Sequence, residues 1–195
     1  MDRHEIIARV HGGPIHHVRS SLICTSVAEL RAHGHFDDYV RHLPPAAAEV
    51  ILSAVAASWM PIETGVAHYA ACNALGLGRE RMLELGAASG KRLQQSVFNT
   101  FAFLARKAGI DLWNVFPVYP RVWARHYDGG GLIITRHGPK EAVIDVMDLP
   151  FSRFGYFRSA LCGMTQSILG MFTKSIRVRE SCTGPSSLSL KVSWV

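Results

Sequence analysis

Gly129-Gly130-Gly131-Leu132-Ile133-Ile134-Thr135-Arg136-His137-Gly138-Pro139-Lys140-Glu141-Ala142-Val143-Ile144-Asp145-Val146 is the stretch on which the reading of the fold turns. Three glycines permit a tight reversal, Leu132 to Thr135 makes one β-branched run, His137 to Lys140 turns, and Ala142 to Val146 makes the next. That is the pattern of an antiparallel meander. Upstream, Val118 to Tyr127 reads as a strand entering the same meander. Arg121, Trp123, Arg125 and Tyr127 then share one face, and Val122, Ala124 and His126 share the other. Downstream, Asp148-Leu149-Pro150 ends the sheet section. Ser152 can cap a helix whose buried side carries Phe154, Phe157, Leu161, Met164, Ile168, Met171 and Phe172. Ile176 to Arg179 and Leu188 to Trp194 supply the closing strands.

The first half reads as helices introduced by a strand. His17 to Leu30 alternates loosely and predicts a strand running into a short helix, broken at His33-Gly34-His35. Pro44-Pro45 suits a helix start, and Ala46 to Trp59 predicts a buried helix closed by Trp59-Met60-Pro61. Glu63 to Leu75 restarts as a helix that Gly76 stops. The longest helix is expected from about Arg79 to Ala108, with Leu83, Gly86, Ala87, Gly90, Leu93, Val97, Phe101 and Leu104 as its apolar stripe. Gly86 and Gly90 each cost roughly 1 kcal/mol in a helix interior, so a neighbouring backbone is expected close to them.

Composition narrows the function classes. With 195 residues and 48% hydrophobic content, the chain can build one good core, and no linker-like segment divides it. The longest apolar stretch, Ala46 to Met60, is interrupted by Glu49 and is shorter than the ~20 residues a membrane span needs, and Met1 to Arg9 has no leader-like apolar run. Four scattered cysteines, Cys24, Cys72, Cys162 and Cys182, suit core thiols of a reducing cytoplasm. The formal charge of +6 is dispersed, so nucleic acid is not the expected partner. Seven of the ten histidines precede residue 43, but they lack cysteines at metal-ligand spacing. No nucleophile stands beside a base, and no enzyme chemistry is expected. Gly129-Gly130-Gly131 lacks the helix and Lys-Ser/Thr that a phosphate loop requires.

Three passages carry a resemblance: Trp59-Met60-Pro61-Ile62-Glu63, Tyr119-Pro120-Arg121 before the glycines, and Val178-Arg179-Glu180-Ser181-Cys182-Thr183-Gly184 with the strand Leu190-Lys191-Val192-Ser193-Trp194. With this order of parts, the chain resembles the superfamily of vinyl-reductase-type sensor domains, haem nitric-oxide-binding domains and small subunits of the TRAPP vesicle-tethering complex. It is most similar to an uncharacterised myxobacterial-type family of about this length. The resemblance implies a sensor-like α/β fold, often dimeric, with a pocket between helices and sheet. It also implies two chemistries whose signatures are missing. Glu180 and Cys182 alone cannot hold zinc. Tyr119, Arg121 and Trp123 do not reproduce the alternating Tyr, Ser and Arg that hold haem propionates. TRAPP-like relatives carry an acylated helical cysteine, against which Cys72 reads as a small core residue.

These readings converge on an α+β single domain, residues 1–195, whose mainly antiparallel sheet packs against several helices. The N-terminal strand and helices occupy about 1–110, and the meander, helix and closing strands about 111–195. The expected function is a non-catalytic sensor with a mostly apolar pocket for a small apolar or aromatic ligand, lined by Trp123, Phe154, Phe157 and Leu161. Arg121, Tyr127 and His126 are the expected polar handles. The alternative is an adaptor whose filled core supports docking of a partner protein. No metal or cofactor is expected. A homodimer is, because Ala46 to Trp59 and the face bearing Phe98, Ala102 and Ala105 offer more apolar surface than one sheet covers.

Overall fold

The computed structural model describes residues 5–55, 57–97 and 111–195; within these, the side chains of residues 93–97, 182 and 183 are left aside. The chain starts with strand β1 (Glu5–Val10), short strand β2 (His17–Arg19) and helix α1 (Ser20–Ala32). Helices α2 (Phe36–His42) and α3 (Pro45–Leu52) follow, then strand β3 (Trp59–Pro61), α4 (Ile62–Ala74) and α5 (Arg79–Val97). Beyond lie α6 (Leu112–Val115) and α7 (Tyr119–His126), joined by a tight turn, and strands β4 (Gly131–Gly138) and β5 (Glu141–Met147). Helix α8 (Gly155–Leu169) and strands β6 (Ile176–Thr183) and β7 (Leu188–Trp194) complete the chain.

The sheet has the order β1-β4-β5-β7-β6, with every pairing antiparallel. The meander therefore lies as its sequence pattern predicts, and β1 adds an edge strand from the other end of the chain. Alternation fixes the register. Ala142, Ile144 and Val146 of β5 and Leu188, Leu190, Val192 and Trp194 of β7 are buried on one face. Helix α8 covers this face, and the helices of the first half cover α8. The α+β architecture expected from the sequence is the observed one.

Two helices carry the close approach expected of the glycines. A Cβ at Gly86 of α5 would lie 2.0 Å from the Ala160 carbonyl oxygen of α8, and one at Gly163 of α8 would lie 2.0 Å from that of Leu83. At Gly90 the nearest contact would be the Met164 carbonyl oxygen at 3.0 Å. The stripe is thus a backbone-to-backbone helix contact. Phe98, Phe101, Ala102, Leu104, Ala105 and the expected end near Ala108 lie outside the described residues.

Three expectations need correction. Val118 to Tyr127 is no strand: Tyr119–His126 is a helix with Pro120 in its first turn. Proline pre-sets the helical φ there, and Tyr119, Val122, Trp123 and His126 recur at three and four, a period that the alternation of Arg121, Trp123, Arg125 and Tyr127 disguised. Next, the expected buried helix Ala46 to Trp59 stops at Leu52, and of its residues only Ile51 is buried. The hydroxyl of Ser20 binds Val55 O (2.9 Å) and Ser58 N (3.0 Å), drawing the chain out of the helix so that Trp59–Pro61 can pair with β2. Finally, Ser152 does not cap α8; it is buried in a 3-10 turn, its hydroxyl without a partner among the described groups, and α8 begins three residues later.

Candidate functional site

Helix α7, the buried sheet face and α8 contribute to one wall. Between them lies a cavity of about 120 Å³. Val118, Tyr119, Val122, Trp123 and His126 come from α7 and its approach, and Leu132, Ile144, Val146 and Leu190 come from the sheet. Phe157, Leu161, Met164, Thr165 and Ile168 come from α8, and Leu22 from α1. The wall is apolar almost throughout, and among the described residues no lysine, arginine or carboxylate contributes to it.

The glycines set the rim. Gly130 has φ of +73°, and a Cβ there would meet Ile15 Cδ1 at 2.7 Å and Trp123 Cζ2 at 3.0 Å. Glycine alone lets the segment before β2 cross this turn, where Gly130 N–H donates to Gly13 O at 2.8 Å. Trp123 is fixed by its indole N–H, which donates to Gly129 O at 2.8 Å, and its ring lies 4.5 Å from that of Tyr127. Asp128 accepts from the backbone N–H groups of His16 and His17 at 2.9 and 2.8 Å, which ties β2 to the same rim.

Few polar groups reach the wall. The Tyr119 hydroxyl is hydrogen-bonded to Thr165, while burial pushes its phenol up to about 12. His126 lies with Nδ1 2.8 Å from Val122 O, which makes Nδ1–H the donor and leaves the lone pair on Nε2. Burial lowers the His126 pKa, so the ring is neutral near pH 7. Tyr127 is buried, and burial alone raises its phenol.

Of the residues expected at the site, Trp123, Tyr127, Phe157, Leu161 and His126 all border this cavity. Arg121 and Phe154 do not. The helical turn of α7 directs Arg121 to solvent, and Phe154 precedes α8 with its ring under the Arg153 guanidinium, 4.8 Å away. Trp123, expected on a strand face, and Phe157, expected on a helical stripe, lie on one wall. Glu180 forms an ion pair with Arg158 at 3.1 Å.

A second polar centre lies deeper and was missed. His68 of α4 is fully buried, with Nδ1 2.7 Å from the Tyr39 hydroxyl and Nε2 3.1 Å from Ser26 Oγ. The tyrosine donates to Nδ1, and Nε2–H donates to the serine. Burial drives the imidazole down to about 3 and pushes the neighbouring Cys72 thiol up. Glu29 of α1 is also buried, and it is paired with Arg92. A lone histidine among alanines at helical spacing, His68-Tyr69-Ala70-Ala71-Cys72, carried no signal that its partners would come from α1 and α2.

No protein-family model matches the chain, and no curated protein sequence does. Solved structures match its fold. One is a Cs H-NOX mutant carrying 4-cyano-L-phenylalanine, with a TM-score of 0.61 and 16% identity over 90% of this chain and 96% of that one. Another is an oxygen-binding H-NOX domain related to soluble guanylate cyclases, with a TM-score of 0.57 and 16% identity over 90% and 94%. A third, from work on heme redox potential and protein-induced porphyrin distortion, gives 0.57 and 16% over 90% and 99%. The chain therefore has the H-NOX fold. Of the branches named from the sequence, this supports the haem nitric-oxide-binding one, and only in fold. The vinyl-reductase-type, TRAPP-like and myxobacterial attributions receive no support. Among the described residues no helix is long and apolar enough to cross a membrane.

Proposed function

We propose that the chain is a non-catalytic sensor module that takes a small apolar ligand into the cavity between α7, the sheet and α8. The observation that carries this reading is the cavity itself. This partly open apolar cavity of about 120 Å³ is close in size to the ~150 Å³ apolar cavities that bind benzene or xenon. Trp123, Tyr127, Phe157 and Leu161 are its proposed contacts. The size falls between a solid core and the roughly 300–1,000 Å³ of a drug-sized site, so the ligand is small.

Haem, named for one of the matched structures, does not fit this wall. His126 could supply an axial nitrogen, its Nδ1–H held by a backbone carbonyl as metal-bound histidines usually are. A porphyrin needs several times the volume present, and its two propionates need cations that no described wall residue supplies. A titration with benzene followed by Trp123 fluorescence, beside one with haemin followed at the Soret band, tests the reading. Saturable binding of benzene with no stoichiometric Soret shift is expected. A one-to-one haemin complex with a sharp Soret band would replace this reading with a haem one.

One observation favours an adaptor role as a second reading. Val50, Leu52, Val55 and Trp59 are exposed around α3 and the loop to β3, with Val55 76% accessible. Such a patch suits a second copy or a partner protein. Sedimentation equilibrium at low micromolar concentration should then give twice the 21.5 kDa chain mass, with Val55→Asp restoring the monomer.

A further inference from the structure

A second, smaller cavity of about 40 Å³ lies against the first, and the two share the residues Leu22, Tyr127, Phe157, Leu161 and Met164. Its wall is more polar, with Ser26, Ser89 and Tyr156 among its residues. Tyr127 is the only one of the five partition residues that carries a polar side-chain group. It is buried, and it borders both cavities. A phenol in a cavity wall trades hydrogen bonds with water for those a bound molecule offers, so a ligand with a matching acceptor is favoured there.

Resting on the cavity reading above, we infer that the ligand is a small apolar body carrying one hydrogen-bond acceptor, a carbonyl or ether oxygen, which receives the Tyr127 O–H in the partition between the two cavities. The neutral phenol is a donor throughout the physiological range, because burial keeps it from ionising. An anionic head group is excluded, since no cation borders the larger cavity among the described residues. Met164 is unbranched and can swing aside, so a ligand longer than the larger cavity reaches into the smaller one without moving backbone.

Cyclopentanone and cyclopentane make a matched pair, titrated into the wild-type chain and Tyr127→Phe with Trp123 fluorescence as the signal. The substitution should weaken cyclopentanone about five- to tenfold, the worth of one neutral hydrogen bond, and leave cyclopentane within about twofold. Comparing each ligand between the two proteins cancels its own cost of leaving water, and cyclopentane binding by the variant shows that its cavity is intact. Equal ratios for both ligands would overturn the role of Tyr127 and leave the cavity reading standing. If neither ligand binds the wild-type chain, the cavity reading fails and this inference with it.

Discussion

Helix α8 meets α5 on one side and α7 with the sheet on the other, and the two contacts are built from residues of opposite size. Toward α5, Gly163 accepts Leu83 while Gly86 and Gly90 accept Ala160 and Met164, so that backbones touch. Toward α7, Phe157, Leu161 and Met164 face Val122, Trp123 and Tyr119, and side chains of this bulk prop the elements apart around a void. Close packing is therefore a local property set by residue choice. The same helix is clamped along one stripe and hollow along the other, which is how a rigid frame can keep a small cavity open.

The sharpest way to break this comparison is to add volume on the clamped side. Gly86→Val should cost about 3 kcal/mol or more in urea unfolding, since its Cβ would collide with a carbonyl oxygen rather than a movable side chain. A loss below about 1 kcal/mol would show that α5 and α8 can separate freely. Removing bulk on the hollow side should also cost. Trp123→Ala is expected to lose about 3 kcal/mol, because the indole packs on Tyr127 and bonds Gly129 O.

Acid sharpens a second contrast, between the deep polar cluster and the apolar cavity. His68 has a folded pKa of about 3, below its unfolded value near 6.5. The unfolded chain thus binds more protons between these values, so stability is fully present above pH 6.5 and is lost as pH falls toward 3. One such group contributes a slope of up to ~1.4 kcal/mol per pH unit. His68→Gln should flatten the stability profile between pH 6 and 4, and an unchanged slope would assign the acid sensitivity elsewhere.

The smallest effects belong to surface and fill. Val122→Phe adds volume where there is space, and should stabilise by about 0.5–1 kcal/mol while closing the cavity. Arg125→Ala, two residues beyond Trp123 on the exposed side of α7, should stay within about 0.5 kcal/mol in the same melts.

The sheet was legible in the sequence because alternation and turn residues both marked it: Leu132 to Thr135, Ala142 to Val146 and Leu188 to Trp194 are strands in the fold. The glycine stripe was legible because Gly86 and Gly90 have no reason to sit in a helix unless something approaches closely. Helix α7 was not, since eight residues satisfy period two and period 3.6 equally, and Pro120 was the cue that decided for helix. The lining of the candidate cavity was half legible. Trp123, Tyr127, Phe157 and Leu161 were chosen as large apolar or aromatic residues near a turn, and those properties survive a wrong secondary structure. Arg121 depended on the strand face and left the site with it. Strand β1 and the partners of His68 could not be read, because their pairing is set by contacts far apart in the chain.

The central claim is a hollow that holds a small apolar molecule, and thermal melts of the wild-type chain and Val122→Phe with and without near-saturating benzene test it most directly. The wild-type midpoint should rise with benzene concentration as one-site linkage requires, and the filled variant should not respond. An unresponsive wild-type chain, or an equal rise in both proteins, would contradict the claim.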